Sequence, residues 1–272
     1  MILAINYSND RYKAAQRFNS KRAHWAGADT VIEYSPLNID SAFREKNKDI
    51  FQYSRGDGLW IWKPYIIRDA LTKVSEGDYV VYTDSGSAFV RKIKYLIEAM
   101  NTQKTDIMVF CINQQERKYT KRDALILMDC DREDILNSLQ ICGGYIIIRK
   151  NEETCSFVNE YLHYVQDRRI ITDEPNVMGK ENYPEFIENR HDQTVLSLLC
   201  KKHGIKPFRD PSEWGMDYSQ FPKDVLERST YAQIVESHRN PDIHSIFQLK
   251  YRTWYKYFNF DYYCLKCGIK RR

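Results

Sequence analysis

Asp78-Tyr-Val-Val-Tyr-Thr83, followed at once by Asp84-Ser-Gly86, is the clearest structural signal in the chain. Five β-branched or aromatic residues, Tyr79 to Thr83, entered through Glu76-Gly77 and stopped by a polar turn, predict a short buried strand of the kind that lines the centre of an α/β sheet. Outward from it in both directions, strand-like and helix-like segments alternate. Ile2-Leu-Ala-Ile-Asn-Tyr7 predicts a first buried strand, Asn9 to Trp25 a helix, and Thr30-Val-Ile-Glu-Tyr34 a second strand. The glycine-marked turn Arg55-Gly-Asp-Gly58 leads into a helix from Lys63 to about Val74, where Pro64 is tolerated because the first helical turn has no donor to lose. Beyond the central strand, Ile107-Met-Val-Phe-Cys111 and Gly143-Gly-Tyr-Ile-Ile-Ile-Arg149 predict further strands, and Lys121 to Leu127, Cys155 to Arg168 and Asp192 to His203 predict helices. In the second of these, Phe157, Tyr161 and Val165 recur every four residues, the spacing of one buried helical face. This alternation predicts an α/β fold with a central sheet and helices on both sides.

Composition narrows the class. The 272 residues carry 43% hydrophobic and 14% aromatic side chains, enough for one continuous core and too apolar for disorder. The expected organisation is a domain over residues 1–240 and an aromatic-rich appendage over 241–272 packed on it. A net charge of +4, from 41 basic against 37 acidic residues, is too balanced for a nucleic-acid binder. Seven cysteines in mostly apolar contexts, among them Cys111, Cys142 and Cys200, fit reduced thiols better than a disulfide framework. No apolar run reaches the roughly 20 residues of a spanning helix, and the first residues lack a signal-peptide pattern. A soluble cytoplasmic protein without a transmembrane segment is expected, its oligomeric state left open.

In open α/β sheets ligands bind beyond the carboxyl ends of the strands, which singles out Asp84. A hard carboxylate there suits Mg²⁺ or Mn²⁺ held against a diphosphate; the alternative is an N-cap for a helix over Ser85 to Ala99. Trp60 and Trp62 stand just ahead of Lys63 at a loop-to-helix junction, where rings can stack on a sugar or base and an ammonium can meet phosphate, or can equally be core aromatics beside a solvated lysine. Lys121, Arg122 and Asp123 stand just ahead of a helix as a second basic cluster. Arg190-His-Asp-Gln193 gathers a base, an acid and an amide at one helix start, with Asp192 either a general base, a sugar ligand or a cap. As a cap it would be replaceable by asparagine with little change in stability. Gly143 and Gly144 either admit a ligand close to backbone or begin a strand. His238, after the strand-like Ala232 to Val235, is a candidate to complete a metal or diphosphate site. Cys264 and Cys267 form a lone CxxC without a second half at zinc-finger spacing.

Taken in order, these segments resemble the small GT-A glycosyltransferases of polysaccharide and capsule clusters, also found in large algal viruses. The resemblance rests on Gly58-Leu-Trp-Ile-Trp-Lys-Pro64, Asp84-Ser-Gly86, Thr120-Lys-Arg-Asp123, Gly143-Gly-Tyr145 and Arg190-His-Asp-Gln193, and spans most of residues 1–240. It implies a GT-A (Rossmann-like) fold with a mixed central sheet flanked by helices, and transfer of a sugar from a nucleotide-sugar donor to a hydroxyl of a glycan acceptor. UDP-xylose or UDP-galactose is the type of donor implied. It further implies that Asn6, Tyr7, Trp60, Trp62, Lys63, Asp84, Ser85, Gly86, Lys121, Arg122 and Asp123 serve the donor. Gly143, Gly144, His191, Asp192 and Gln193 would serve the sugar and the acceptor, and Asp84 with His238 a Mn²⁺ or Mg²⁺ ion. Gly86 stands where the usual Asp-x-Asp motif has its second carboxylate, so Lys63 and Arg122 are the alternative means of neutralising the diphosphate. An inverting reaction, with Asp192 as the base that the acceptor needs, is expected; a retaining one would need no such base. The rival reading is a non-catalytic module that binds glycan or nucleotide without turnover.

Overall fold

The computed structural model describes residues 1–249, so Cys264, Cys267 and most of the aromatic appendage lie outside the described residues. Ten strands are described: β1 (Ile2–Tyr7), β2 (Thr30–Tyr34), β3 (Tyr79–Thr83), β4 (Ala88–Phe89), β5 (Ile107–Met108), β6 (Phe110–Gln115), β7 (Leu139–Ile141), β8 (Tyr145–Arg149), β9 (Phe208–Arg209) and β10 (Val235–Glu236). Five of them build the central sheet in the order β2-β1-β3-β8-β5. β1 pairs parallel with β2 and β3, whereas β8 runs antiparallel to both β3 and β5. The sheet is therefore mixed, and the start of β8 lies at the same edge as the carboxyl ends of β1 to β3.

The period-two alternation of each strand sorts its side chains onto two faces. Leu3, Ile5 and Tyr7 of β1, Val80 and Tyr82 of β3, and Ile146 and Ile148 of β8 share one buried cluster with the helices Trp62–Thr72, Glu152–Tyr164 and Asp192–Lys202. Ala4, Val81 and Ile147 point the other way, into a cluster closed by the helices Lys13–Ala26 and Lys94–Thr102. Phe157, Tyr161 and Val165 are all buried, as their four-residue spacing predicts. Ile243 and Leu249 lie in a third buried cluster with Ala15, Phe18, Ala88 and Val90.

Three expectations need correction. The first helix begins at Lys13 rather than Asn9, after a 3₁₀ turn at Asp10–Tyr12. The segment Ile107 to Cys111 is not one strand. Ile107 and Met108 pair with β8, but the Val109 carbonyl accepts the Phe208 amide at 2.8 Å and Phe110 then joins β7 and β9 in a second, three-stranded sheet. Finally, Asp84 caps no helix: the chain turns into β4, and the next helix starts only at Lys94. Among the described residues no helix is long and apolar enough to cross a membrane, and the five described cysteines are free thiols.

Candidate active site

Asp84 leaves β3 at the carboxyl edge of the sheet with its side chain 46% exposed. Tyr82, two residues earlier on the same face of β3, donates its hydroxyl to Asp84 Oδ1 at 2.5 Å. The Asp84 amide donates to the Gly144 carbonyl at 3.0 Å, which locks the turn to the start of β8. Beneath this turn lies a buried ion pair. Lys63, in the first turn of the helix Trp62–Thr72, donates from Nζ to Asp192 Oδ2 at 2.6 Å and to the Gly143 carbonyl at 2.8 Å. Its Nζ is also 4.0 Å from Asp84 Oδ1. The hydroxyl of Tyr161, from the helix Glu152–Tyr164, reaches the Asp192 carbonyl at 3.2 Å and Oδ2 at 3.3 Å.

Lys63 and Asp192 are almost wholly buried, and burial is the largest influence on both. It favours the neutral form of each, but Asp192 and Asp84 together outweigh it for Lys63 and hold the ammonium above its ordinary value. The Asp192 carboxyl is pushed up by burial and by Asp84, with Lys63 opposing. The alternative role of Asp192, an asparagine-tolerant cap, is not found. His191 is the N-cap residue, no side chain caps this helix, and the Asp192 carboxylate turns inward to Lys63.

The paired glycines owe their identity to this cluster. A Cβ on Gly143 would come within 3.3 Å of Asp192 Oδ2 and Lys63 Nζ and 3.2 Å of the Gln193 Cβ. A Cβ on Gly144 would stand 3.3 Å from Asp84 Oδ2. Gln193 completes the floor, accepting the Gly143 amide at 2.9 Å and donating to Gln140 at 2.7 Å.

Other residues singled out in the sequence have different surroundings. Asn6 is fully buried on the opposite face of β1, donating to Asn19 at 2.7 Å and Ser20 at 3.1 Å, and so ties the sheet to the first helix. Tyr7 and Trp62 stack on each other at 3.7 Å and 16°. Both are buried, and Trp62 Nε1 donates to the Gly56 carbonyl at 2.8 Å. Ser85 donates to the Tyr7 carbonyl at 2.6 Å, and the Gly86 carbonyl accepts the Arg239 amide at 2.8 Å. Arg122 is committed to Asp131 through Nε at 3.1 Å and Nη2 at 2.9 Å, and Asp123 accepts the amides of Val177 and Met178. Neither Lys63 nor Arg122 is thus a free cation. Trp60 is half-buried and lies against His191, with ring centroids 5.9 Å apart.

Backbone strain gathers at the same place. Gly56, Asp57, Gly58, Leu59 and Trp60 all have φ between 54° and 88°, a left-handed turn that L-residues resist by roughly 1–2 kcal/mol each. His191 has φ 55° and ψ −119°. Strain of this kind persists where the surroundings over-determine it, and it clusters at functional sites. Here Asp57 is held by the Tyr7 hydroxyl and Trp60 covers Gly56. Tyr82 and Tyr161 are the site residues that sequence reasoning passed over. Tyr82 was legible, since the strand period puts it on the face of Asp84; nothing in the sequence links Tyr161 to Asp192.

The second half of a cation site is sparse. His238 follows β10, which pairs with β4, and so sits against the turn after Asp84. Burial holds its imidazole down to about 4, hence neutral at pH 7, and its Nε2 is buried without a hydrogen-bond partner. Among the described residues no group of three or more His, Cys, Asp or Glu side chains converges on one point. Asp84 and His238 are the residues that could hold a divalent ion, which would then take its remaining ligands from a diphosphate, the usual manner of Mg²⁺-type sites. Glu213 supports this region by accepting the Ser237 amide at 2.9 Å. Burial, reinforced by Glu236 and Asp210, pushes its carboxyl up to about 7 against the opposing Ser237 bond. The folded state therefore holds a proton that the unfolded state releases between pH 4.5 and about 7, so stability falls as pH rises through that window. Glu213→Gln is expected to raise the melting temperature at pH 8, by about 1–2 kcal/mol of stability after allowance for partial exposure, and to change little at pH 4.5. Melting curves across this range check it; an equal effect at both ends would refute the assignment.

No protein-family model matches the chain, and no curated protein sequence matches it. Solved structures do. The galactosyltransferase LgtC, crystallised with donor and acceptor sugar analogs, is similar over 100% of this chain and 97% of its own, with 12% identity and a TM-score of 0.51. Mouse xyloside xylosyltransferase 1 is similar over 92% of this chain and 98% of its own, with 9% identity and a TM-score of 0.45. The glycosyltransferase GlyE of Streptococcus pneumoniae is similar over 99% of this chain and 64% of its own, with 12% identity and a TM-score of 0.43. The first of these likenesses runs the length of both chains, and with the mixed sheet and its flanking helices it establishes that this chain has a GT-A fold.

Proposed function

We propose that the protein is a glycosyltransferase that moves one sugar from a nucleotide-sugar donor to a hydroxyl of a glycan acceptor. One observation carries the reading: in a GT-A fold, an exposed carboxylate at the end of β3 stands 4.0 Å from a buried lysine that is itself paired with a second carboxylate at a helix start. Packing gives no reason to bury a charged pair beneath an open carboxylate, since such pairs are weak contributors to stability. Asp84 and His238 would hold a Mn²⁺ or Mg²⁺ ion, which when bound offsets the charge on the leaving diphosphate. Asp192, held above the ordinary carboxylate range, serves as base toward the acceptor hydroxyl, and the course is inverting. Lys63, itself held by the Gly143 carbonyl, orients that carboxylate through Oδ2, which the Tyr161 hydroxyl also reaches. The donor is a UDP-sugar of the xylose or galactose type, and the setting is capsule or polysaccharide synthesis of the kind shared with algal viruses; the family resemblance of the motifs supports both. Free thiols at the five described cysteines accord with a reducing, cytoplasmic setting.

Incubation of the full chain with UDP- and GDP-sugars, with and without an acceptor panel, tests the reading. Hydrolysis or transfer from a UDP-sugar is expected, and binding without turnover across the panel would favour a non-catalytic module. Excess EDTA is expected to lower turnover at least about tenfold, with recovery on addition of Mn²⁺ or Mg²⁺. Full activity in chelator would refute the cation site.

A further inference from the structure

Two residues after Asp84 the turn carries the partly exposed Gly86. It is not among the glycines with positive φ, so backbone shape does not require a glycine there. A Cβ at this position would make only ordinary van der Waals contacts, 3.5 Å from the Arg239 Cα and 3.8 Å from the Tyr12 ring. A side chain therefore fits. A carboxylate in place of Gly86 would stand beside Arg239 and offset its charge, whereas glycine leaves that charge unopposed.

Arg239 is fixed to this turn through its main chain. Its amide donates to the Gly86 carbonyl at 2.8 Å, and the Pro241 carbonyl two residues on accepts the Ala15 amide at 3.2 Å. The loop after β10 is thereby fastened both to the Asp84 turn and to the start of the helix Lys13–Ala26. Arg239 has φ 50°, a left-handed conformation that glycine adopts at far less cost. A turn that needed only this backbone shape would be better served by glycine, so the residue type at 239 answers to its side chain. That side chain is exposed and, among the described residues, its guanidinium makes no hydrogen bond, ion pair or ring contact. Asp84 does not take it, since its carboxylate accepts the Tyr82 hydroxyl and faces Lys63 at 4.0 Å. Lys63 is committed to Asp192 and Arg122 to Asp131, which leaves Arg239 as an unengaged cation at the edge where β3 ends. A guanidinium presents a planar fork that grips phosphate oxygens through two parallel hydrogen bonds.

We propose that Arg239 binds the diphosphate of the nucleotide donor directly and supplies the part of the donor affinity that needs no divalent ion. The proposal rests on the glycosyltransferase reading and makes Arg239 the cation for the phosphates, in place of Lys63 and Arg122. It also accounts for Gly86, because a carboxylate there would compete with the phosphates for the guanidinium.

Calorimetry on the full chain with UDP and uridine in excess EDTA tests it, with UDP and GDP plus Mn²⁺ as separate arms. Arg239→Gln is expected to weaken metal-free UDP binding roughly 10- to 100-fold, the range of a charge-assisted hydrogen bond, and to leave uridine affinity unchanged. Arg239→Lys should recover part of the loss, because an ammonium keeps the charge but not the fork. Arg239→Gly should lose as much as Arg239→Gln with no fall in melting temperature, since glycine accepts a φ of 50° without strain. Parental UDP affinity in either Arg239→Gln or Arg239→Gly would overturn the proposal. So would an equal loss for uridine, a lowered melting temperature in Arg239→Gly, or a parent chain that binds UDP with Mn²⁺ but not in EDTA. A parent chain that binds neither UDP nor GDP under any of these conditions would remove the transferase reading as well, whereas UDP binding indifferent to Arg239 removes this proposal alone.

Discussion

Asp192→Asn is expected to lower both turnover and stability, the first on the order of 10²-fold or more and the second by about 3–5 kcal/mol. The stability loss follows from Lys63, whose Nζ sits 2.6 Å from the carboxylate in a nearly water-free setting. An amide cannot neutralise that ammonium, and Asp84 at 4.0 Å is too far to replace the direct contact. For a chain of this size the loss corresponds to a fall in melting temperature on the order of 10 °C. The turnover loss follows from the proposed base. Lys63→Met in the same chain separates the two effects. With both charges removed no buried ion remains uncompensated, so the double variant should regain most of the lost stability and none of the turnover. Thermal melts and initial rates on the two single variants and the double variant complete the cycle. A wild-type melting temperature in Asp192→Asn would show that the buried pair contributes nothing, and wild-type turnover would remove Asp192 from the chemistry.

Asp84→Asn should produce the opposite pattern. Its side chain is 46% exposed and accepts the Tyr82 hydroxyl, which an asparagine oxygen can also accept. Stability should therefore change by less than about 1 kcal/mol, as for substitutions away from buried charge. Turnover should fall on the order of 10²-fold or more, because the amide is a far weaker ligand for a hard divalent ion. Affinity for UDP in the presence of Mn²⁺ should fall with it, while affinity in the presence of EDTA stays unchanged. A variant that melts well below the parent and still turns over normally would make Asp84 a structural residue. The proposal for the β3 edge would then fail while the one for Asp192 stood.

Much of the architecture was legible because it is local. The alternation in Ile2–Tyr7 and Tyr79–Thr83 reports which side chains face which layer, and a carboxylate directly after a central strand lies at the sheet's ligand-binding edge whatever else the chain does. The four-residue spacing of Phe157, Tyr161 and Val165 likewise marked the buried face of its helix. Local pattern misled where a neighbour distant in sequence competes for the backbone. Ile107 to Cys111 reads as one strand, but β9 takes over at Val109 and diverts it into another sheet.

An α/β chain with a carboxylate at the end of its central strand and a polar cluster at the start of a late helix follows from local signals, since periodicity and turn chemistry act over a few residues. The pairing of Lys63 with Asp192, the burial of Asn6 and Trp62 within the core and the unpartnered ammonium of Lys121 come from tertiary packing alone. Charge partnership and burial depend on which distant segments the packed sheet brings together. Lys63 and Asp192 are 129 positions apart, a separation that no local signal spans.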